Sequence, residues 1–91
     1  MLKSDLIEKV AKELNMNRDL AQLAINSVFD TMSEALARGE GIEIRGFGSF
    51  VVRNYKGREG RNPKTGERVN VPPRKKPFFK VGKELKNRVN T

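Results

Sequence analysis

Between Arg53 and Lys76 the chain has almost nothing with which to build a core. This stretch carries nine Lys and Arg against Glu59 and Glu67, no Leu, Ile, Phe or Met, and only Tyr55, Val69 and Val71 as sizeable apolar side chains. A segment that buries so little apolar surface cannot offset the entropy lost in forming a compact body of its own, so it must project from whatever the rest of the chain forms. At its centre, Gly60-Arg61-Asn62-Pro63-Lys64-Thr65-Gly66 joins turn-forming residues to positive charge and reads as the tip of a long hairpin. Two structures fit the stretch. One is a solvated, partly disordered basic loop. The other is a two-stranded ribbon whose cations follow a nucleic-acid backbone and whose Pro63, an apolar wedge without an N–H, enters a base stack.

The charge is not spread evenly. Residues 1–52 hold six bases and eight acids, so nearly all of the net +8 belongs to the arm. A basic protein of this kind suits a polyanion, and nucleic acid before an anionic membrane, because the cations lack the apolar face of an interfacial helix. The absence of Cys and His removes disulfides, thiolate metal sites and the commonest general base, and no nucleophile, base and stabiliser group together. No enzyme activity, metal, cofactor or small-molecule substrate is expected. No apolar run approaches the roughly 18 residues of a membrane span, and Met1-Leu2-Lys3-Ser4-Asp5 lacks the apolar stretch of a signal peptide, which points to a cytoplasmic protein.

The chain of 91 residues is expected to form one domain with a small core, in three parts: a body over 1–52, the arm over 53–76, and a returning strand with a C-terminal helix over 77–91. Leu6, Ile7, Val10, Ala11 and Leu14 form one helical stripe, predicting a first helix from about Lys3 to Leu14. Asn15-Met16-Asn17 breaks it, Asn17 caps a second helix with Asp19 in its first turn, and Arg38-Gly39 stops that helix. Its apolar face, Ala21, Ala24, Ile25, Val28, Met32, Ala35 and Leu36, is widened by Leu20, Leu23 and Phe29. Either a sheet alone covers so wide a face, or a sheet and a second copy of the chain do.

After Gly41 the period becomes two, with Ile42 and Ile44 alternating against Glu43 and Arg45, and Gly46-Phe47-Gly48 turns the chain into a strand from Ser49 to Arg53. Phe47 and Phe50 suit a core; the rival use, stacking on unpaired bases, has little support from a chain with one Tyr and no Trp. Gly46 and Gly48 serve either the turn itself or a close approach of their N–H groups to phosphate. The strand returns through Arg68-Val69-Asn70-Val71, and Pro72-Pro73 bends it. Phe78 and Phe79 are expected in the core or an interface, and the short helix after Gly82 sets Leu85 and Val89 on one side. Its other side carries Lys83, Lys86 and Arg88, with Lys80 just before, either to flank a duplex or simply to face solvent.

The runs Ile42-Glu43-Ile44-Arg45-Gly46-Phe47-Gly48-Ser49-Phe50, Gly60-Arg61-Asn62-Pro63-Lys64-Thr65-Gly66 and Gly82-Lys83-Glu84-Leu85-Lys86 resemble the bacterial HU and integration host factor family over the whole chain. The resemblance implies an α+β fold: two N-terminal helices, a three-stranded antiparallel sheet with a long protruding β-ribbon arm, and a short C-terminal helix, two chains intertwining as a dimer. It implies a nucleoid protein that bends duplex DNA from the minor groove, with Pro63 as the intercalating wedge. Arg61, Asn62 and Lys64 would hold the tip in the groove. Arg53, Arg58, Arg68, Arg74, Lys75 and Lys76 would line the arm, Lys3, Lys80, Lys83 and Lys86 would touch flanking DNA, and Gly46 and Gly48 would offer N–H groups. Phe29, Phe47, Phe50 and Phe79 would form the dimer core. The pair Glu43 and Arg45 is similar to the integration host factor branch, where Arg45 would reach the minor groove; either a homodimer or a heterodimer with a related subunit fits. Two other functions compete: an RNA or single-strand binder, and a module whose basic arm wraps an acidic protein.

Overall fold

A computed structural model describes residues 1–91, which form two compact units, Met1–Ala35 and Leu36–Thr91. In the first unit, α1 spans Lys3–Glu13, and the Asp5 carboxylate accepts the Leu2 N–H at 2.7 Å, satisfying a donor at the helix start. The chain leaves α1 through Asn15 at φ 55°, a conformation Asn tolerates better than most residues. Asn17 then caps α2, which spans Arg18–Ala37: its Oδ1 accepts the Asp19 N–H at 2.7 Å and its carbonyl accepts the Ala21 N–H. At the far end Gly39, at φ 83°, donates its N–H to the Leu36 carbonyl and ends the helix where Arg38-Gly39 predicts.

The second unit is built on a three-stranded antiparallel sheet of order β1-β2-β5, from β1 at Ile42–Ile44, β2 at Gly48–Tyr55 and β5 at Arg74–Val81. The β1–β2 turn closes with the Phe47 N–H on the Ile44 carbonyl, and Gly46, at φ 81°, takes the position that requires a positive φ. The β2–β5 ladder runs unbroken from Gly48↔Val81 to Tyr55↔Arg74, so Arg53 and Lys76 are paired residues of this sheet. The arm beyond is a two-stranded ribbon: β3 at Arg58–Arg61 pairs with β4 at Arg68–Val71. Between the two ladders lie Lys56-Gly57 on one strand and Pro72-Pro73 on the other; the prolines have no N–H to give. A side chain at Gly57 would touch the Pro73 ring at 3.0 Å, so the strands stay close across the break. The last helix, α3, spans Lys83–Val89, with Gly82 at its N-cap.

The only buried hydrophobic residues in the chain are Ile7 and Ala21. On α2, Leu20, Leu23, Val28 and Phe29 all stand exposed, Leu23 at 66%. The aromatic cluster of the sheet is also open. Phe79 sits 4.9 Å from Phe50 and 5.5 Å from Phe47, centroid to centroid, yet Phe47 remains 44% exposed. Spacing sets Val89 beside Leu85 on one side of α3, but only Leu85 is partly covered; Val89 is 75% exposed because the helix ends there. No helix is long and apolar enough to cross a membrane.

Candidate nucleic-acid interface

Register decides which cations share a face. Residues opposite one another in an antiparallel ladder point to the same side, and neighbours along a strand point to opposite sides. The pairs Arg53↔Lys76, Tyr55↔Arg74, Val51↔Phe78 and Ser49↔Lys80 therefore place Arg53, Arg74, Lys76 and Lys80 on one face of the β2–β5 ladder. Phe50, Phe79 and Lys75 belong to the other face.

The cation face has an aromatic floor. The Arg53 guanidinium carbon is 3.5 Å from the Phe78 ring centroid, and the Tyr55 ring lies 5.8 Å from both the Arg74 guanidinium carbon and the Lys76 ammonium. Phe78 therefore does not join Phe79 in the aromatic cluster. Adjacent strand residues cannot share a face, and Phe78 takes the face that holds Arg53. Sequence reasoning misses Phe78 and Tyr55 as residues of the site; counting by two from Lys76 finds Phe78, and the cross-strand register finds Tyr55.

On the arm, Arg58, Gly60, Val69 and Val71 share one side, and a Cβ at Gly60 would lie 3.7 Å from a methyl of each valine. The other side bears Glu59, Arg61, Arg68 and Asn70. Arg61 and Arg68 stand directly opposite each other, a like-charge pairing that costs stability until an anion lies between or beside them. Part of that repulsion is met by Glu59, whose carboxylate is 3.9 Å from Arg68. At the arm's root, Lys56, Arg58 and Arg74 line an open cleft with Tyr55, Val71 and Pro72.

The tip is closed by residues around Pro63 and not by Pro63. The Asn62 N–H donates to the Glu67 carbonyl at 2.8 Å, the Gly66 N–H to the Asn62 carbonyl at 2.7 Å, and the Lys64 N–H to the Asn62 side-chain oxygen at 2.9 Å. The Thr65 hydroxyl accepts the Glu67 N–H. Gly66, at φ 72°, supplies the left-handed residue that such a reversal needs. Asn62 thus holds the turn, while Pro63 and Lys64 are exposed at its crown.

A second group of predicted residues gathers at the β1–β2 turn. The Gly82 N–H donates to the Phe47 carbonyl at 2.9 Å, tying the start of α3 to the turn that carries Arg45 and Gly46. Lys83 and Lys86, three apart on α3, share a side of that helix. Glu84 comes with them: a Cβ on Gly46 would lie 2.6 Å from its carboxylate oxygen. Gly48 answers to packing, since a Cβ there would strike the Phe79 ring and the Lys80 carbonyl. Lys3, at the start of α1, is exposed in the other unit.

Comparison with known proteins shows the family and the fold. Residues 1–90 match the family described as bacterial DNA-binding protein. Integration host factor subunit beta of Methylococcus capsulatus is 53% identical over 92 aligned positions, covering 100% of this chain and 97% of the relative. DNA-binding protein HU-1 of Halalkalibacterium halodurans is 44% identical, over 98% of this chain and 99% of its own length. Among solved structures, the Anabaena HU–DNA cocrystal structure superposes with a TM-score of 0.84 at 36% identity, covering 98% of this chain and 97% of that one. With the arm, the sheet and the sequence agreeing from end to end, this chain belongs to the bacterial DNA-binding protein family, that of the architectural HU and integration host factor proteins.

Proposed function

We propose that two such chains, identical or closely related, pair into a dimer whose arms grip duplex DNA from the minor groove and bend it by inserting Pro63 between bases. The observation that carries the reading is the tip: its reversal is closed by Asn62, Thr65, Gly66 and Glu67, which leaves the Pro63 ring exposed and without a part in the turn's hydrogen bonds. Arg61 and Lys64 flank that wedge, and Arg58 and Arg68 continue along the ribbon. Arg53, Arg74, Lys76 and Lys80 receive phosphates on the face built over Phe78 and Tyr55. Arg45, Gly46, Lys83 and Lys86, gathered at the β1–β2 turn, meet the flanking duplex, and Lys3 adds a further contact. Pairing is supported by how little the single chain buries: Ile7 and Ala21 alone cannot stabilise a chain of 91 residues, and the open faces of α2 and of Phe47, Phe50 and Phe79 offer the missing apolar contact. These functions place the protein on the nucleoid.

The test is Pro63→Ala on an end-labelled duplex read by fluorescence transfer. Unstacking a base step costs a few kcal/mol, recovered when the bent duplex meets more of the basic surface. The variant should bind linear duplex within about tenfold of the parent, about 1.4 kcal/mol, and bend it far less. Its deficit should shrink on nicked duplex, where the step is already weakened. Equal bending by parent and variant would leave the arm as an electrostatic clamp.

A further inference from the structure

Among the basic residues of the arm and its root, Lys75 stands apart. Its ammonium donates a hydrogen bond to the main-chain carbonyl of Ala37, 2.9 Å away and 38 residues earlier in the chain. Its strand neighbours Arg74 and Lys76 point to the opposite face, toward Tyr55. The carbonyl it reaches is one that α2 cannot satisfy itself, because the last four carbonyls of a helix have no partner within it. The end of α2 is also the negative end of the helix dipole, and its last turn contains no basic residue of its own. A cation brought in from β5 supplies both the missing donor and the missing charge.

We infer that Lys75 is a positioning residue: it clips the start of β5, where the arm is rooted, to the end of α2, and it is not one of the DNA's phosphate ligands. The residue opposite it is Asn54, and one position further the β2–β5 ladder ends at Tyr55↔Arg74 and gives way to the prolines. The clip thus lies next to the point where the hydrogen-bonded ladder beneath the arm is interrupted. Releasing it frees the direction of the arm while leaving its charge pattern toward the DNA intact.

The test, whose DNA steps rest on the bending function proposed above, compares Lys75→Met, which keeps an apolar stem without a donor, with Lys75→Arg and with Lys76→Met. In the DNA-free protein, amide exchange at Gly39 and Tyr55 should quicken several-fold in Lys75→Met and return toward the parent in Lys75→Arg. On DNA, Lys76→Met should lower the slope of log affinity against log salt by about 0.9 for each phosphate that is no longer neutralised, whereas Lys75→Met should leave it unchanged. At saturating protein, Lys75→Met should broaden the distribution of end-to-end distances in the bound duplex, and Lys75→Arg should narrow it again. A salt slope lowered as much by Lys75→Met as by Lys76→Met, or unchanged exchange at both amides, would overturn the assignment. Should the parent fail to bend DNA, the bending reading falls, and the exchange measurement still decides the clip.

Discussion

The Arg53 guanidinium packs over the Phe78 ring, its central carbon 3.5 Å from the ring centroid. The ring restricts a side chain that otherwise has many rotamers and leaves the edges of the guanidinium for phosphate oxygens. Phe78→Leu keeps the strand and the charge but removes this support. Duplex affinity should fall roughly two- to fivefold, the equivalent of about 0.5–1 kcal/mol for an exposed cation–π contact, with the salt slope unchanged. Binding titrations at two or more salt concentrations would read both; a loss of slope would mean that the ring is needed for the phosphate contact proposed for Arg53.

Glu59 and Arg68 meet at 3.9 Å with both side chains largely in solvent, so the pair adds little stability. If the arm receives phosphate as proposed, Glu59 opposes binding, because its carboxylate repels phosphate and pairs with Arg68. Glu59→Gln should tighten duplex binding by a few-fold at low salt, chiefly through faster association, without moving the unfolding midpoint. Weaker binding by the variant would indicate that Glu59 is needed to hold Arg68 in place.

Gly48→Ala tests the packing of the sheet. The added methyl would collide with the Phe79 ring, 2.6 Å from its Cζ, and the ring is held in turn by Phe47 and Phe50. Overpacking of this kind costs about 1–3 kcal/mol. Urea unfolding should show that loss with little change in the transition's steepness, and an unperturbed midpoint would show that the ring moves aside freely.

Val28 is 53% exposed in the single chain, where a change to Asp at such a position shifts stability by only about 0.5 kcal/mol. In a dimer joined through this face the same change buries an unpaired charge. Sedimentation should therefore find the parent as a dimer at micromolar concentration and Val28→Asp as a monomer or an unfolded chain. A folded monomer in both would remove the pairing.

Helices, hairpin and arm were legible because their signals are local. The stripe from Leu6 to Leu14, the Asn17 cap, the Gly39 stop and the break in strand pairing at Pro72-Pro73 each depend on neighbours a few positions away. The distant pairings were not. Nothing near Lys75 announces an acceptor at Ala37, and Gly48, read from its turn, owes its lack of a side chain to Phe79. Phe78 and Phe79 show the limit most sharply: two adjacent aromatics look alike in composition, and a register shift of one residue exchanges their faces.

The outer edge of β5 has a consequence for how the protein behaves at high concentration. An unpaired sheet edge invites a strand from another molecule, and β5 is such an edge in the single chain. It carries Arg74, Lys75, Lys76 and Lys80, and Pro77 has no N–H with which to extend the ladder. A foreign strand arriving there would meet repulsion from charges like its own if it came from another copy, and a gap in the hydrogen bonding in any case. Arg74, Lys76 and Lys80, the cations of β5 that face phosphate in the proposed complex, would thus also guard against aggregation, so neutralising them to weaken DNA binding would be expected to lower solubility as well.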